Sequence, residues 1–277
     1  MKQILYMAGE PIQHPGVAGR ELPLKPATEF NDIECEHIFV AAGRIENFIN
    51  HISRFNPVAD SFREFLEAVE GDCPHELLER RIRGYILEVD ILLKHWEKFL
   101  GHKGKKKDFE NITHKEFDSC EAYALICTFR NYLVHSSDIM HGQHKGFDGM
   151  KTWADRDFII KDFNWPKAKR ELLEKQEKRI DLIKVIQDSF PAVERVHNAA
   201  LELLIDKQVK EDCDYLCKCA YKTTLINATG WFVFDFKGTE LVNIPPCIGV
   251  PGLGTDYFRL NWNTYKAIKT FVEEKGV

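Results

Sequence analysis

No run of this chain approaches the roughly 20 consecutive apolar residues that a membrane helix requires, so no membrane-spanning helix is expected. The opening stretch from Met1 to Pro15 holds one Lys and a short apolar run broken by Gly9 and Pro11, so it lacks a secretory pattern. There is no internal repeat and no low-complexity tract. A strong positive charge is missing as well. With 38 Lys and Arg against 43 Asp and Glu, the formal net charge is -5. The molecule as a whole is therefore no polyanion binder, and any nucleic-acid contact must rest on a local basic patch. Metal-ligand spacing is absent too. Cys213, Cys217 and Cys219 have no second pair, and His135, Asp138, His141 and His144 match no zinc pattern. Gly249 to Gly254 contains Val-Pro-Gly-Leu-Gly but no Lys-Ser or Lys-Thr follows, so a phosphate-binding loop is not expected. No metal and no cofactor are expected. The eight Cys are scattered, and Cys35, Cys120 and Cys127 fall in helical apolar patterns as small core residues. A reducing, cytoplasmic setting is the simplest account.

What the chain does have is length and apolar periodicity. Its 277 residues suffice for one large domain or two small ones, and 44% hydrophobic content supports a sizeable core. Residues 1–32 hold prolines and glycines with little periodicity and read as an irregular N-terminal arm, ending at the capping residues Asn31-Asp32. From Ile33 to about Phe55, apolar residues recur at three- and four-residue steps, which predicts a helix that Asn56-Pro57 stops. Phe62, Phe65, Leu66 and Val69 predict a short second helix. Pro74 opens a long third one through Leu78, Ile82, Tyr85, Val89, Leu92 and Trp96 to Leu100. A basic loop, 102–108, follows. A fourth helix is predicted from about Thr113-Glu116, which have capping-box spacing, through Ala122, Ile126, Phe129 and Leu133.

Residues 141–165 break the pattern. Pro166 opens a helix through Ile186, with a stop and restart at Ser189-Phe190-Pro191 and a further helix to Leu204. Cys213, Cys217 and Cys219 read as partly buried helix residues. Trp231 to Phe236 and Leu241 to Ile244 predict a hairpin about Lys237-Gly238, and Trp262 to Glu274 a last helix. The fold class is mainly α: a four-helix bundle at 33–140, additional helices beside it within a domain spanning 33–207, and a small α+β region at 208–277.

One local constellation carries chemistry. Arg130-Asn131-Tyr132-Leu133-Val134-His135 lies near the end of the fourth predicted helix. An Arg grips a phosphoryl group with a planar fork of donors, and a His exchanges a proton near neutral pH. Asn131, His135 and Asp138 fall off the apolar stripe, with Arg130 at its edge, so the groups can face outward. Arg130 and His135 are about 140° and about 7.5 Å apart on an ideal helix, so one copy does not close tightly on a single phosphate. Asn131 and His135, four apart, share a face.

This Arg-x-x-x-x-His run with a polar residue after the Arg, on a helix preceded by a long one, resembles the HEPN superfamily of small helical bundles. The resemblance covers about 110 residues, in the manner of a short-motif match. It implies a metal-independent endoribonuclease with Arg130, Asn131 and His135 at its site, or an RNA- or protein-binding relative without activity. It implies RNA as partner, a homodimer with two motif helices in one cleft, roles in defence or stress response, and an antitoxin or other regulatory partner. The chain departs from one family pattern: Ser137 stands where members working with a nucleotidyltransferase carry a Tyr.

Other residues keep two readings. Lys103, Lys105, Lys106 and Lys107 precede the motif helix and either steer RNA or form a solvated loop. Glu88 and Asp90 either pair with Arg130 or sit on the surface, and for Asp90 the surface is favoured. Trp231, Phe232, Phe234 and Phe236 either stack bases or form faces of a hairpin that covers helices. A helical scaffold with an incidental Arg–His pair is the remaining alternative.

Overall fold

The computed structural model describes residues 2–7, 12–16, 20–21, 24–71, 73–135, 138–147, 149–224, 231–237, 240–243 and 262–274. The protein is mainly helical. The chain divides into two compact units, 1–51 with 204–277, and 52–203. The arm and the tail, expected as separate segments, thus share a unit.

The arm is not irregular, which corrects the sequence expectation. It holds strands β1 (Lys2–Met7), β2 (Ile12–Gln13), β3 (Arg20–Glu21) and β4 (Leu24–Pro26). Strands this short carry too few alternating residues for periodicity to reveal them. Helix α1 (Asp32–Ile52) begins with a capping box. Asn31 accepts from the Glu34 amide at 2.9 Å, and Glu34 accepts from the Asn31 amide at 2.8 Å.

The second unit carries the motif. After a 3₁₀ turn at Ser53–Phe55, α2 (Asn56–Glu70) starts where a stop was expected, because Pro57 occupies its first turn, where a missing N–H costs nothing. Helix α3 (His75–His102) matches the predicted long helix. The predicted fourth helix is two, α4 (Lys106–Ser119) and α5 (Glu121–His135), separated by Cys120 in an extended conformation. Cys120 is therefore a joint and not a helical core residue. The basic loop shrinks to the turn at Lys103–Lys105, where Gly104 adopts φ 72°, a left-handed conformation that favours glycine. Thr113 caps nothing; its hydroxyl donates to the Glu110 carbonyl inside α4 at 3.0 Å.

Residues 142–181, read only as a pattern break and the start of a helix, hold strands β5 (Gly142–Gly146) and β6 (Gly149–Asp155), helices α6 (Arg156–Asp162) and α7 (Lys167–Glu174), and strand β7 (Arg179–Asp181). The three strands form an antiparallel sheet in the order β5-β6-β7. Gly142 pairs with Trp153, and a Cβ there would lie 2.3 Å from the indole, so the pairing requires glycine. Helix α8 (Leu182–Glu202) runs through Pro191 without the expected stop. Asp181 caps it by accepting from the amides of Ile183 and Lys184.

Helices α2, α3, α4, α5 and α8 pack around a common core containing Phe65, Tyr85, Trp96, Tyr123, Phe129 and Tyr132. Buried polar atoms in it are paired. The Trp96 indole donates to His197 Nδ1 at 3.1 Å, and Tyr85 and Ser189 hydroxyls lie 3.0 Å apart. Helix α5 buries Tyr123 through Ile126, Thr128, Phe129, Tyr132 and Leu133, far more than the single stripe predicted.

The first unit resumes with α9 (Lys207–Thr224), strands β8 (Trp231–Lys237) and β9 (Glu240–Asn243), and α10 (Trp262–Glu274), the last as predicted. The hairpin is present, and β8 also pairs with β1 in the sheet β4-β1-β8-β9. Its turn at Gly238, the side chains of Trp231, Phe232, Phe234 and Phe236, and the Gly249–Gly254 loop lie outside the described residues. Cys213, Cys217 and Cys219 are buried on α9, and the seven described cysteines are free thiols. Among the described residues no helix is long and apolar enough to cross a membrane, and no cluster of potential metal ligands occurs.

Candidate functional site

Arg130, Asn131 and His135 occupy the last two turns of α5. Burial of Phe129, Tyr132 and Leu133 fixes the rotation of this helix, so Arg130 and Asn131 are left at the surface boundary and His135 outside it. The Arg130 side chain retains 23% exposure. Its Nε lies 2.7 Å from Asp90 Oδ1 on α3, and its Nη1 donates to Asn131 Oδ1 at 3.0 Å. The rest of the guanidinium fork meets no other side-chain acceptor among the described residues. Asp90 was expected at the surface. Instead it is 17% exposed and holds two cations, because Lys94 also lies 2.7 Å away, one helical turn on.

His135 ends α5, where a cation complements the carbonyl end of the helix. Its ring lies parallel to Phe163, with centroids 6.2 Å apart. Phe163 in turn packs edge-on against Trp165 and Tyr132. The Tyr132 hydroxyl donates to Asp162 at 2.8 Å, which ties the motif helix to the end of α6. Beyond the helix, Glu79 of α3 accepts from the amides of Ile139 and Met140 at 3.2 and 3.0 Å. Burial, then the Asp138 charge, raises the Glu79 carboxyl above its usual range. Arg83 lies 3.4 Å from Asp138. Ser137, where the family pattern differs, lies outside the described residues.

The lysines ahead of the motif are mostly engaged. Lys105 donates to the Leu203 carbonyl, Lys106 pairs with Glu97 at 3.0 Å and Glu110 at 3.7 Å, and Lys103 lies 5.8 Å from the Phe99 ring centre. Lys107 is exposed. None of the four shares a cleft with Arg130. His141 and His144 also stand apart from one another's chemistry: His141 Nδ1 accepts from the Asp155 amide at 3.2 Å, while His144 pairs across strands with Lys151.

Two cleft residues escaped the sequence reading. Lys169 on α7 and Tyr123 on α5 line, with Arg130 and Asp90, a cavity of about 530 Å³. Burial and the Arg130 charge lower the Lys169 ammonium below its usual range, only partly opposed by Cys127. Burial pushes the Cys127 thiol up to about 11, so it is not a ready nucleophile. No local signal marks Lys169, one of three cations in the first turn of an eight-residue amphipathic helix. Comparison with protein-family models, curated proteins and solved structures finds no match for this chain.

Proposed function

We propose that this chain is a metal-independent endoribonuclease of the HEPN type, acting on RNA as a cytoplasmic homodimer. The observation that carries the reading is that Arg130, Asn131 and His135 stand on the last two turns of one helix, with Arg130 and Asn131 at the surface boundary, His135 exposed, and the Asp90 carboxylate beside the guanidinium. In the reaction, a ribose 2′-OH attacks its own 3′-phosphate. His135 removes or returns the proton. Arg130 meets the charge that grows on the phosphorane oxygens, usually the largest catalytic term in such chemistry. Asn131, already a partner of Arg130, orients the fork. A 2′,3′-cyclic phosphate and a 5′-OH result, and DNA is not cut because it lacks the 2′-OH. A two-fold dimer brings a second Arg130 and His135 into the groove. Exposed Val134, next to His135, offers apolar surface for that contact. Defence or stress response, under an antitoxin-like regulator, is the setting in which such an activity is restrained.

A second reading is a silent RNA- or protein-binding module. It is favoured by the pairing of Arg130 Nε with Asp90, which occupies part of the fork. Purified protein incubated with mixed-sequence RNA in EDTA separates the two. Cleavage by the wild type, reduced at least about 100-fold in Arg130→Ala and His135→Ala, supports the nuclease. Equal cutting by all three proteins rejects it, and binding without cutting favours the module.

A further inference from the structure

The cavity beside Arg130 has two chemically different ends and an apolar middle. Its floor follows α3 through Asp90, Leu93, Lys94 and Glu97, a rise of about 10 Å along the helix. At the Asp90 end stand three cations, Lys94, Arg130 and Lys169, against a single carboxylate. Lys169 is half-buried, faces the like charge of Arg130, and has no carboxylate partner among the described residues. A half-buried ammonium beside a guanidinium is unfavourable unless an anion joins them. The middle is walled by part-exposed Leu93 and Phe117, backed by the buried rings of Phe109 and Tyr123. The far end presents Glu97 and Glu110, which share Lys106 as their counter-ion.

We infer that this cavity is a nucleotide subsite in which Arg130 and Lys169 grip a phosphate, the aromatic wall takes the base, and Glu97 and Glu110 accept from its amino edge. The three parts match the three chemical regions of one nucleotide: an anion, a flat ring and a rim of N–H donors. A phosphate alone would leave Leu93 and Phe117 wet, and a bare nucleoside would leave the cations unpaired. Lys169 is thus a binding residue supplied by α7, from outside the motif helix. The inference rests on the nuclease reading, since it assigns to the cavity the nucleotide next to the bond being cut. Each can nevertheless fail without the other.

Isothermal titration of the full chain with adenosine 5′-monophosphate, adenosine and inorganic phosphate tests the site. The monophosphate is expected to bind at least tenfold more tightly than either fragment. Lys169→Gln is expected to weaken it at least tenfold, with recovery in Lys169→Arg, and Phe117→Ala to weaken the monophosphate but not phosphate. Monophosphate affinity unaltered by Lys169→Gln, or no stronger than that of phosphate, overturns the subsite even if the protein cuts RNA. Binding as expected in a protein that cuts no RNA sinks the nuclease reading and leaves the subsite standing.

Discussion

Asp90 lies 2.7 Å from both Arg130 and Lys94, so its charge is shared between two cations. Removing its charge while keeping its shape releases the guanidinium to other rotamers. On the proposed nuclease reading, Asp90→Asn is therefore expected to lower RNA cleavage about tenfold, mainly in kcat, an effect smaller than that of Arg130→Ala. Steady-state kinetics on a short RNA checks this, and a variant as fast as wild type removes Asp90 from the site. His141 supports a pH prediction. Its folded-state pKa is lowered, chiefly by burial, and its neutral Nδ1 accepts from Asp155. A depressed pKa means the unfolded chain binds the proton more tightly. The contribution is present above the ordinary histidine pKa, near about 6.5, and is lost as pH falls through the folded value. The thermal midpoint is expected to drop between pH 7 and 5, and to drop less in His141→Gln. His95, also lowered by burial and then by Arg54, adds to the same slope. At this scale Arg130, Asn131 and His135 were legible because their relation is local. The Asp90 contact was one of two readings, and the surface was favoured over it, because it joins residues forty apart whose helices must first pack.

Elements were legible wherever their apolar pattern was long. Helices α1, α3 and α10 agree with their periodicity to within a few residues. The errors came from punctuation. Pro57 and Pro191 read as stops, yet one sits in a first turn and the other is tolerated inside α8, where exposure of Pro191 lets solvent reach the freed carbonyl. A single extended residue, Cys120, separates α4 from α5 while leaving three- and four-residue spacing intact on both sides, so periodicity gave no sign of it. Strands β5 and β6 are mostly polar and half-exposed, which hides their alternation. The α3–α8 contact offers a direct measurement. Ser189 donates to the Ile186 carbonyl at 2.9 Å, so Tyr85 is the donor to Ser189, with both side chains fully buried. Tyr85→Phe is expected to cost about 1 kcal/mol in urea unfolding, and Ser189→Ala a similar amount. The double variant should cost less than the sum; strict additivity would show that the two hydroxyls do not interact.

At the scale of the molecule, the first unit is stabilised by a different kind of bond. Arg44 on α1 forms a bidentate pair with Asp212 on α9, at 2.5 and 2.7 Å, and Gln208 adds a third donor at 3.0 Å. The Asp212 side chain is only 1% exposed. Deleting Arg44 leaves a buried carboxylate short of its charge partner, so Arg44→Ala is expected to destabilise the unit by about 3 kcal/mol. Hydrogen exchange should then quicken in 32–51 and 207–224; unchanged protection there would show that the pair contributes little. The sequence by itself determined the helical class, the cap at Asn31 and the spacing of the Arg–His motif, because each depends on residues within a turn or two of one another. Only the tertiary structure decided that β1 pairs with β8, that α8 enters the core beside α3 and α5, and that Asp90 and Lys169 flank Arg130. Those relations join distant positions through packing and charge, and no local pattern encodes which distant partner a side chain will meet.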